Sequence, residues 1–204
     1  MFQTELKGIT LNFETNEDVF SPSGIDRGTL AMLSQVEFSN EDQVLDLGCG
    51  YGVVGILASK LIGSNQVVMC DISKKAVEIS KINGLRNGLN DLKVYESNGL
   101  DGIEESGFTK ILSNPPYHVD FSVPKNFIEK GYKKLEIGGK MYMVTKRLDW
   151  YKNKLTAVFG GVKVLELDGY YVFIAEKRKK TVSKKQENKN QLSKKLARKV
   201  ARKK

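Results

Sequence analysis

Val44-Leu45-Asp46-Leu47-Gly48-Cys49-Gly50-Tyr51-Gly52 carries an apolar run straight into a glycine-rich loop. Gln43 to Leu47 reads as a buried strand and Gly52 to Leu61 as a helix. Glycines let a backbone turn tightly and approach a ligand with no side chain in the way. A second run, Gln66 to Ile72, is rich in Val and Met and reads as the next strand, with Asp71 at its end. In an open parallel sheet, ligands sit beyond the carboxyl ends of the strands, where the strand order reverses. The loop 48–52 and Asp71 fall on that edge, and a carboxylate there can accept both hydroxyls of a ribose.

The same alternation continues outward. Ser73 can cap a helix in which Ala76, Ile79, Ser80 and Asn83 recur at helical spacing. Leu92–Glu96 and Lys110–Ser113 read as strands and Phe127–Leu135 as a helix; Gly138-Gly139 introduces a strand over Lys140–Thr145. A helix over Asp149–Phe159 follows. The runs Val162–Leu167 and Tyr170–Ala175 are joined by the hairpin turn Asp168-Gly169. This pattern predicts an α/β chain with a mostly parallel seven-stranded sheet, a C-terminal antiparallel hairpin and helices on both faces. Before residue 41, Leu6–Phe13 alternates weakly and reads as one strand, and Asp26-Arg27-Gly28-Thr29 starts a capped helix.

Composition bounds the rest. The chain has 204 residues, 40% hydrophobic and 28% charged, which suits a single domain with a real core. Met1–Thr10 lacks a basic stretch followed by an apolar run, so no signal peptide is expected. No apolar run approaches the roughly 18 residues of a membrane helix. Cys49 lies in the loop and Cys70 in an apolar run, which favours free thiols in a reducing cytoplasm over a disulfide framework. The net charge of +9 is uneven: residues 177–204 carry +13, leaving residues 1–176 at −4. The expected division is an extension over 1–40 that closes the ligand site, a catalytic domain over 41–176, and a basic disordered tail over 177–204, whose Leu192, Leu196 and Val200 could form a thin helix when bound. Such a tail attracts phosphates without reading sequence, and RNA is the expected partner.

Gly50-Tyr51-Gly52-Val53-Val54-Gly55 also spells G-x-G-x-x-G, and an acid some twenty residues on suits a dinucleotide fold equally. A turn that merely needs glycine is a third reading. Asp46 stands before the first glycine, where a carboxylate can organise the loop and attract a cationic ligand.

The second motif, Asn114-Pro115-Pro116-Tyr117, follows a strand and lies on the same edge. An exocyclic or carboxamide nitrogen is a poor nucleophile because its lone pair is delocalised. Asn114 can accept one of its N–H groups through the side-chain oxygen, and the carbonyl of Pro115 the other. Acceptors placed out of plane favour a pyramidal nitrogen, stabilising the transition state more than the ground state. Pro115 and Pro116 stiffen the loop, and Tyr117 offers a face for a planar target. These groups have no natural role in hydride transfer. Together the motifs point to methyl transfer from S-adenosylmethionine to a nitrogen. The bland alternative is a rigid turn with an incidental tyrosine. His118, the only histidine, either touches substrate or caps the loop. Asn98, after the third strand, is a candidate for the adenine or an ordinary turn residue. Trp150 and Tyr170-Tyr171 read as packing groups rather than base-stacking ones. No metal site is read from the sequence.

Over residues 40–176 the chain resembles class I S-adenosylmethionine-dependent methyltransferases, and within them the methyltransferase small domain group that includes ribosomal RNA guanine-N2 methyltransferases. Val19-Phe20-Ser21 with Asp26-Arg27-Gly28-Thr29, the loop Val44–Gly52, and Asn114-Pro115-Pro116-Tyr117-His118 are similar to that group's motifs, with Tyr117 where the group has Phe and Val119-Asp120 where it has Asp-Gly. The resemblance implies that Asp46, Gly48 and Gly50, with neighbouring Cys49, hold the cofactor's amino-acid end. Asp71 would hold the ribose and Asn98 the adenine, with Ile72 and Asn114 also against the cofactor, and Asn114 to Tyr117, with His118, would hold the target amine. Larger members carry a second amino-terminal copy of the fold, where this chain has about 40 residues; the tail is then expected to serve in recruiting RNA. A protein glutamine methyltransferase and an adenine N6-methyltransferase share the Asn-Pro-Pro-Tyr chemistry, but neither the partner-gripping helical domain of the first nor the target-recognition domain of the second is read here. A non-enzymatic assembly factor would have no use for both motifs.

Overall fold

The computed structural model describes residues 1–15, 24–116 and 120–179. The chain opens with a two-stranded hairpin, β1 (Phe2–Leu6) and β2 (Ile9–Phe13), where one strand was expected. Lys7 and Gly8 both have positive φ, 49° and 76°, as a type I′ turn requires. The single-strand reading failed because Lys7-Gly8 is a weaker turn signal than Asp168-Gly169, which shows the same pair of positive φ values.

The central sheet contains β3 (Val44–Leu47), β4 (Val67–Asp71), β5 (Lys93–Glu96), β6 (Phe108–Ser113), β7 (Leu135–Thr145), β8 (Lys163–Leu167) and β9 (Tyr170–Glu176), in the order β5-β4-β3-β6-β7-β9-β8. The five strands from β5 to β7 are parallel, and β9 alone runs against its neighbours. The expected seven-stranded α/β sheet is therefore present. β7 is longer than expected: it starts at Leu135 and runs through Gly138-Gly139, where its register against β6 shifts. A Cβ at Gly139 would lie 2.7 Å from the Phe108 carbonyl, so the pair marks a close backbone approach rather than a break. Pairing also continues past β9, since Lys177 exchanges backbone hydrogen bonds with Gly138 and Gly139.

Alternate residues of each strand feed two cores. Val44, Met69, Leu112, Tyr142 and Val172 face α1 (Arg27–Leu33), α2 (Val53–Ile62) and α3 (Lys74–Arg86). Leu45, Leu47, Ile111, Met143 and Phe173 face α4 (Ser122–Lys134) and α5 (Leu148–Phe159). Burial on both faces is why these strands read as unbroken apolar runs. α4 begins five residues before the expected Phe127, because Pro124 suits a first helical turn, where its missing N–H costs nothing.

The N-terminal hairpin is held by two buried amides. Asn83 Nδ2 donates to the carbonyls of Glu14 and Tyr51, and its Oδ1 accepts the Glu14 N–H. Asn87, one turn later on the same face, treats the N–H and carbonyl of Asn12 likewise. Asn87 thus acts as a rung against β2 and Asn83 against Glu14 just after it, tying the hairpin to the glycine loop through Tyr51. Among the described residues no helix is long and apolar enough to cross a membrane.

Candidate active site

β3 lies between β4 and β6, so the strand order reverses there and a crevice opens at the carboxyl ends. Gly48, Gly50 and Gly52 all take positive φ (78°, 57° and 97°), which non-glycine residues rarely adopt. The Gly48 and Cys49 N–H groups donate to the Cys70 carbonyl, and Ser80 Oγ donates to the Gly50 carbonyl. The loop is therefore pinned to β4 on one side and α3 on the other.

Asp71 supports the loop from β4. Its Oδ2 accepts the Gly50 N–H at 2.9 Å and its Oδ1 the Ser73 N–H at 2.9 Å. Each carboxylate oxygen can accept twice, so both retain capacity for a ligand hydroxyl. Asp46 does something different. α2 starts from Gly52, which offers no side-chain cap, and the orphan N–H of Gly55 is accepted by Asp46 Oδ2 at 2.8 Å. Asp46 thus caps a helix from the neighbouring strand while being only 3% exposed. Burial pushes its carboxyl up to about 7, with the nearby Asp71 charge adding to the rise and the Gly55 hydrogen bond opposing it. The thiols are driven up as well, Cys49 strongly and Cys70 to about 12, chiefly by burial. Both are free and buried, so neither is poised as a nucleophile.

Asn114 leaves the end of β6 into the crevice. Its Nδ2 donates to Asp26 Oδ1 at 2.8 Å and to Thr29 Oγ1 at 3.0 Å. A carboxylate only accepts, so the amide nitrogen must face Asp26 and the amide orientation is fixed, with Oδ1 as its acceptor end. Asp26 Oδ1 also caps α1 through the Thr29 N–H at 3.0 Å. α1 comes this close because residue 28 is glycine: a Cβ there would meet the Tyr170 ring at 2.7 Å.

A cavity of about 310 Å³ fills the crevice. Asp46, Gly48, Cys49, Gly50, Asp71, Ile72, Asn98, Asn114 and Pro116 line it, so the structure brings these expected site residues together. Pro115 is buried and is not among the lining residues. Tyr117 and His118 lie outside the described residues, as do Val19-Phe20-Ser21 and residues 180–204 of the tail. Ile25, Asp26 and Thr29 from the N-terminal segment also line the cavity, as do Val123 and Phe127 of α4. Sequence reading assigned Asp26 to a helix cap and missed its bond to Asn114; a polar pair at a helix start gives no sign of a partner 88 positions away. Among the described residues no cluster of His, Cys, Asp or Glu could hold a metal ion.

The family model for the methyltransferase small domain matches residues 10–175, taking in the loop, Asp71, Asn114 and nearly all of the C-terminal hairpin, and it begins inside β2. The chain belongs to the methyltransferase small domain family. Ribosomal RNA large subunit methyltransferase G of Klebsiella pneumoniae is 31% identical over 181 residues, covering 85% of this chain and 48% of the relative. YbxB of Bacillus subtilis is 29% identical over 178 residues, covering 84% of this chain and 89% of YbxB. Among solved structures, the 16S rRNA N2 G1207 methyltransferase RsmC of T. thermophilus, in complex with AdoMet and guanosine, is similar with a TM-score of 0.75 and 28% identity, over 87% of this chain and 50% of that one. This methyltransferase small domain thus spans about half the length of its rRNA methyltransferase relatives and most of YbxB.

Proposed function

We propose that this protein transfers a methyl group from S-adenosylmethionine to an exocyclic amine of RNA, with guanine N2 of ribosomal RNA as the favoured target. The observation that carries the reading is the locked carboxamide of Asn114, its nitrogen held by Asp26 and Thr29 at the edge of a cavity walled by the glycine loop. The family match, and the relative solved with AdoMet and guanosine, support it.

The residues present suit the cofactor. A Cβ on Gly50 would meet no protein atom within 4 Å, so the loop backbone is open to close approach by a ligand. Asp46 and Asp71 would hold the α-ammonium and the ribose hydroxyls, Ile72 and Asn98 the adenine side, and Gly48 and Cys49 the amino-acid end. The cofactor supplies an electrophilic methyl group on a sulfonium. Asn114 Oδ1 and the Pro115 carbonyl would accept the two amine N–H groups, with Pro116 stiffening the turn and Tyr117 and His118 flanking the base. No strong base is needed, because the methylated amine cation is acidic enough to lose its proton to water. We further propose that residues 1–40 close the cofactor site over a catalytic domain of 41–176, that the basic tail recruits RNA or a ribosomal subunit, and that the protein works in the cytoplasm.

The test is incubation with methyl-labelled S-adenosylmethionine and lysate from cells lacking the gene, followed by fractionation and nucleoside digestion. Label in N2-methylguanosine is expected. Label in N6-methyladenosine would change the base and keep the amine chemistry, and label on protein alone would replace this reading with glutamine methylation.

A further inference from the structure

Lys146 and Arg147 are consecutive, exposed, and stand just beyond the carboxyl end of β7, the neighbour of β6, whose end leads into Asn114. Their side chains diverge. Lys146 Nζ lies 4.9 Å from the centroid of the Tyr170 ring, whose hydroxyl is 3.5 Å from Asp26 Oδ2, beside Asn114. The Arg147 guanidinium goes the other way, 4.9 Å from the centroid of Phe121. Phe121 in turn stacks on Trp150, with centroids 4.5 Å apart and planes at 20°. Two cations thus stand close to the cavity wall without lining it, Lys146 by way of Tyr170 and Asp26 and Arg147 by way of Phe121, on a body whose first 176 residues carry a net charge of −4.

Phe121 is 36% exposed, although it sits at the start of α4, two residues from Val123 in the cavity wall. Trp150 packs on the core beside Tyr151, but Phe121, stacked on it with a guanidinium over its ring, is left exposed. This arrangement matches what single-stranded nucleic acid needs: flat faces for bases, and cations for the phosphates between them. Trp150 packs on the core as expected; its stacking with Phe121, 29 positions earlier at the N-cap of α4, is the part that spacing did not show.

We propose that Lys146, Arg147, Phe121 and Trp150 form a platform for the nucleotide adjacent to the methylated one. The inference rests on the reading of RNA as methyl acceptor. A base drawn out of its stack to reach Asn114 leaves the face of its neighbour uncovered. Phe121 and Trp150 re-cover that face, while Lys146 and Arg147 hold the flanking phosphates. Stacking of this kind tolerates any base, so the platform sets the path of the strand rather than its sequence.

Trp150 is the only tryptophan, so its emission reports on the platform directly. The full chain is titrated, without methyl donor, with a single-stranded RNA of about 12 nucleotides, a length of the order of one binding site. Saturable quenching of Trp150 is expected. Arg147→Ala should lower the salt slope of binding by about one. Phe121→Ala should weaken binding about tenfold. Both variants are checked for folding by their affinity for S-adenosylhomocysteine, and Arg147→Ala stands alone if Phe121→Ala fails that check. RNA that binds with unchanged emission, through the tail alone, overturns the platform, as do variants that bind like wild type. Quenching without methyl transfer to any RNA upholds the platform and sinks the acceptor reading. Methyl transfer to RNA with silent Trp150 does the reverse.

Discussion

If Asp46 holds the cofactor's α-ammonium as proposed, cofactor affinity should depend on pH, with a sign opposite to the effect of Asp46 on stability. Its carboxyl is pushed up to about 7 by burial. If the α-ammonium of the cofactor binds the ionised form, affinity follows the ionised fraction. For a group with this pKa, that fraction falls about eightfold between pH 7.5 and 6, and about 25-fold by pH 5.5. Each tenfold step corresponds to about 1.4 kcal/mol. S-adenosylhomocysteine is the probe, because it keeps the α-ammonium and its binding can be followed by titration calorimetry. Asp46→Asn retains an acceptor for the Gly55 N–H and removes the titration. Its affinity should be flat with pH and below the wild-type plateau.

Folding stability runs the other way. The folded pKa is raised above the unfolded value of about 3.9, so this group's contribution is fully present below that value and lost as pH rises through 7. The Asn variant without ligand should therefore be more stable than wild type at pH 8, and the advantage should vanish near pH 4. A wild-type affinity constant from pH 5.5 to 7.5, or an Asn variant that keeps the slope, would refute the assignment of Asp46 to the ammonium.

Asn114→Ala should lower turnover by about 10²–10³-fold while leaving S-adenosylhomocysteine affinity within about twofold, because it removes an acceptor used as charge develops on the amine; single-turnover kinetics with labelled cofactor would show it. Asn83→Ala strands the Glu14 N–H and two carbonyls in a fully buried spot. It should cost about 2–4 kcal/mol, seen as a lower thermal midpoint, and loosen the cofactor loop through Tyr51. Deleting residues 180–204, which leaves the Lys177 pairing intact, should weaken RNA binding and flatten its salt dependence; an unchanged slope means that the tail does not touch phosphate.

The fold was legible because its signals are local. Val44–Leu47 and Val67–Asp71 are apolar runs of strand length, Ser73 caps α3, and Asp168-Gly169 names its own turn. The lining of the cavity was legible for a related reason. In a parallel sheet every strand delivers its next residues to one edge, so the ends of β3, β4 and β6 had to converge. What stayed hidden depends on partners far apart in sequence. Asn83 looked like one more residue on a helix face, yet it holds the backbone of Glu14, just past the end of β2 and 69 positions away. Asp26 looked like a cap and is one, but the same oxygen also orients Asn114. The second bond leaves no trace in spacing, since any carboxylate at that cap would read alike.

The distribution of charge around the cavity bears on how the proposed reaction would be driven. Methyl transfer moves positive charge from the donor towards the accepting nitrogen. Groups that stabilise charge at the donor lower the ground state and slow the step, whereas groups at the acceptor lower the transition state. The two lining acids proposed for the donor end, Asp46 and Asp71, both accept hydrogen bonds from backbone N–H groups, so their charge would be partly spent on the fold. The acceptor end carries Asn114, neutral but locked, so that no reorganisation is needed as the amine becomes positive. Asp26 stands behind it, on the far side of the amide from Oδ1. Its charge polarises the carboxamide through the 2.8 Å hydrogen bond to Nδ2, which increases the negative character of Oδ1 where the amine would sit. A carboxylate touching the amine directly would offer more attraction but would also bind a neutral substrate's N–H groups in the ground state. Set one bond back, Asp26 strengthens an acceptor whose value grows with the developing charge.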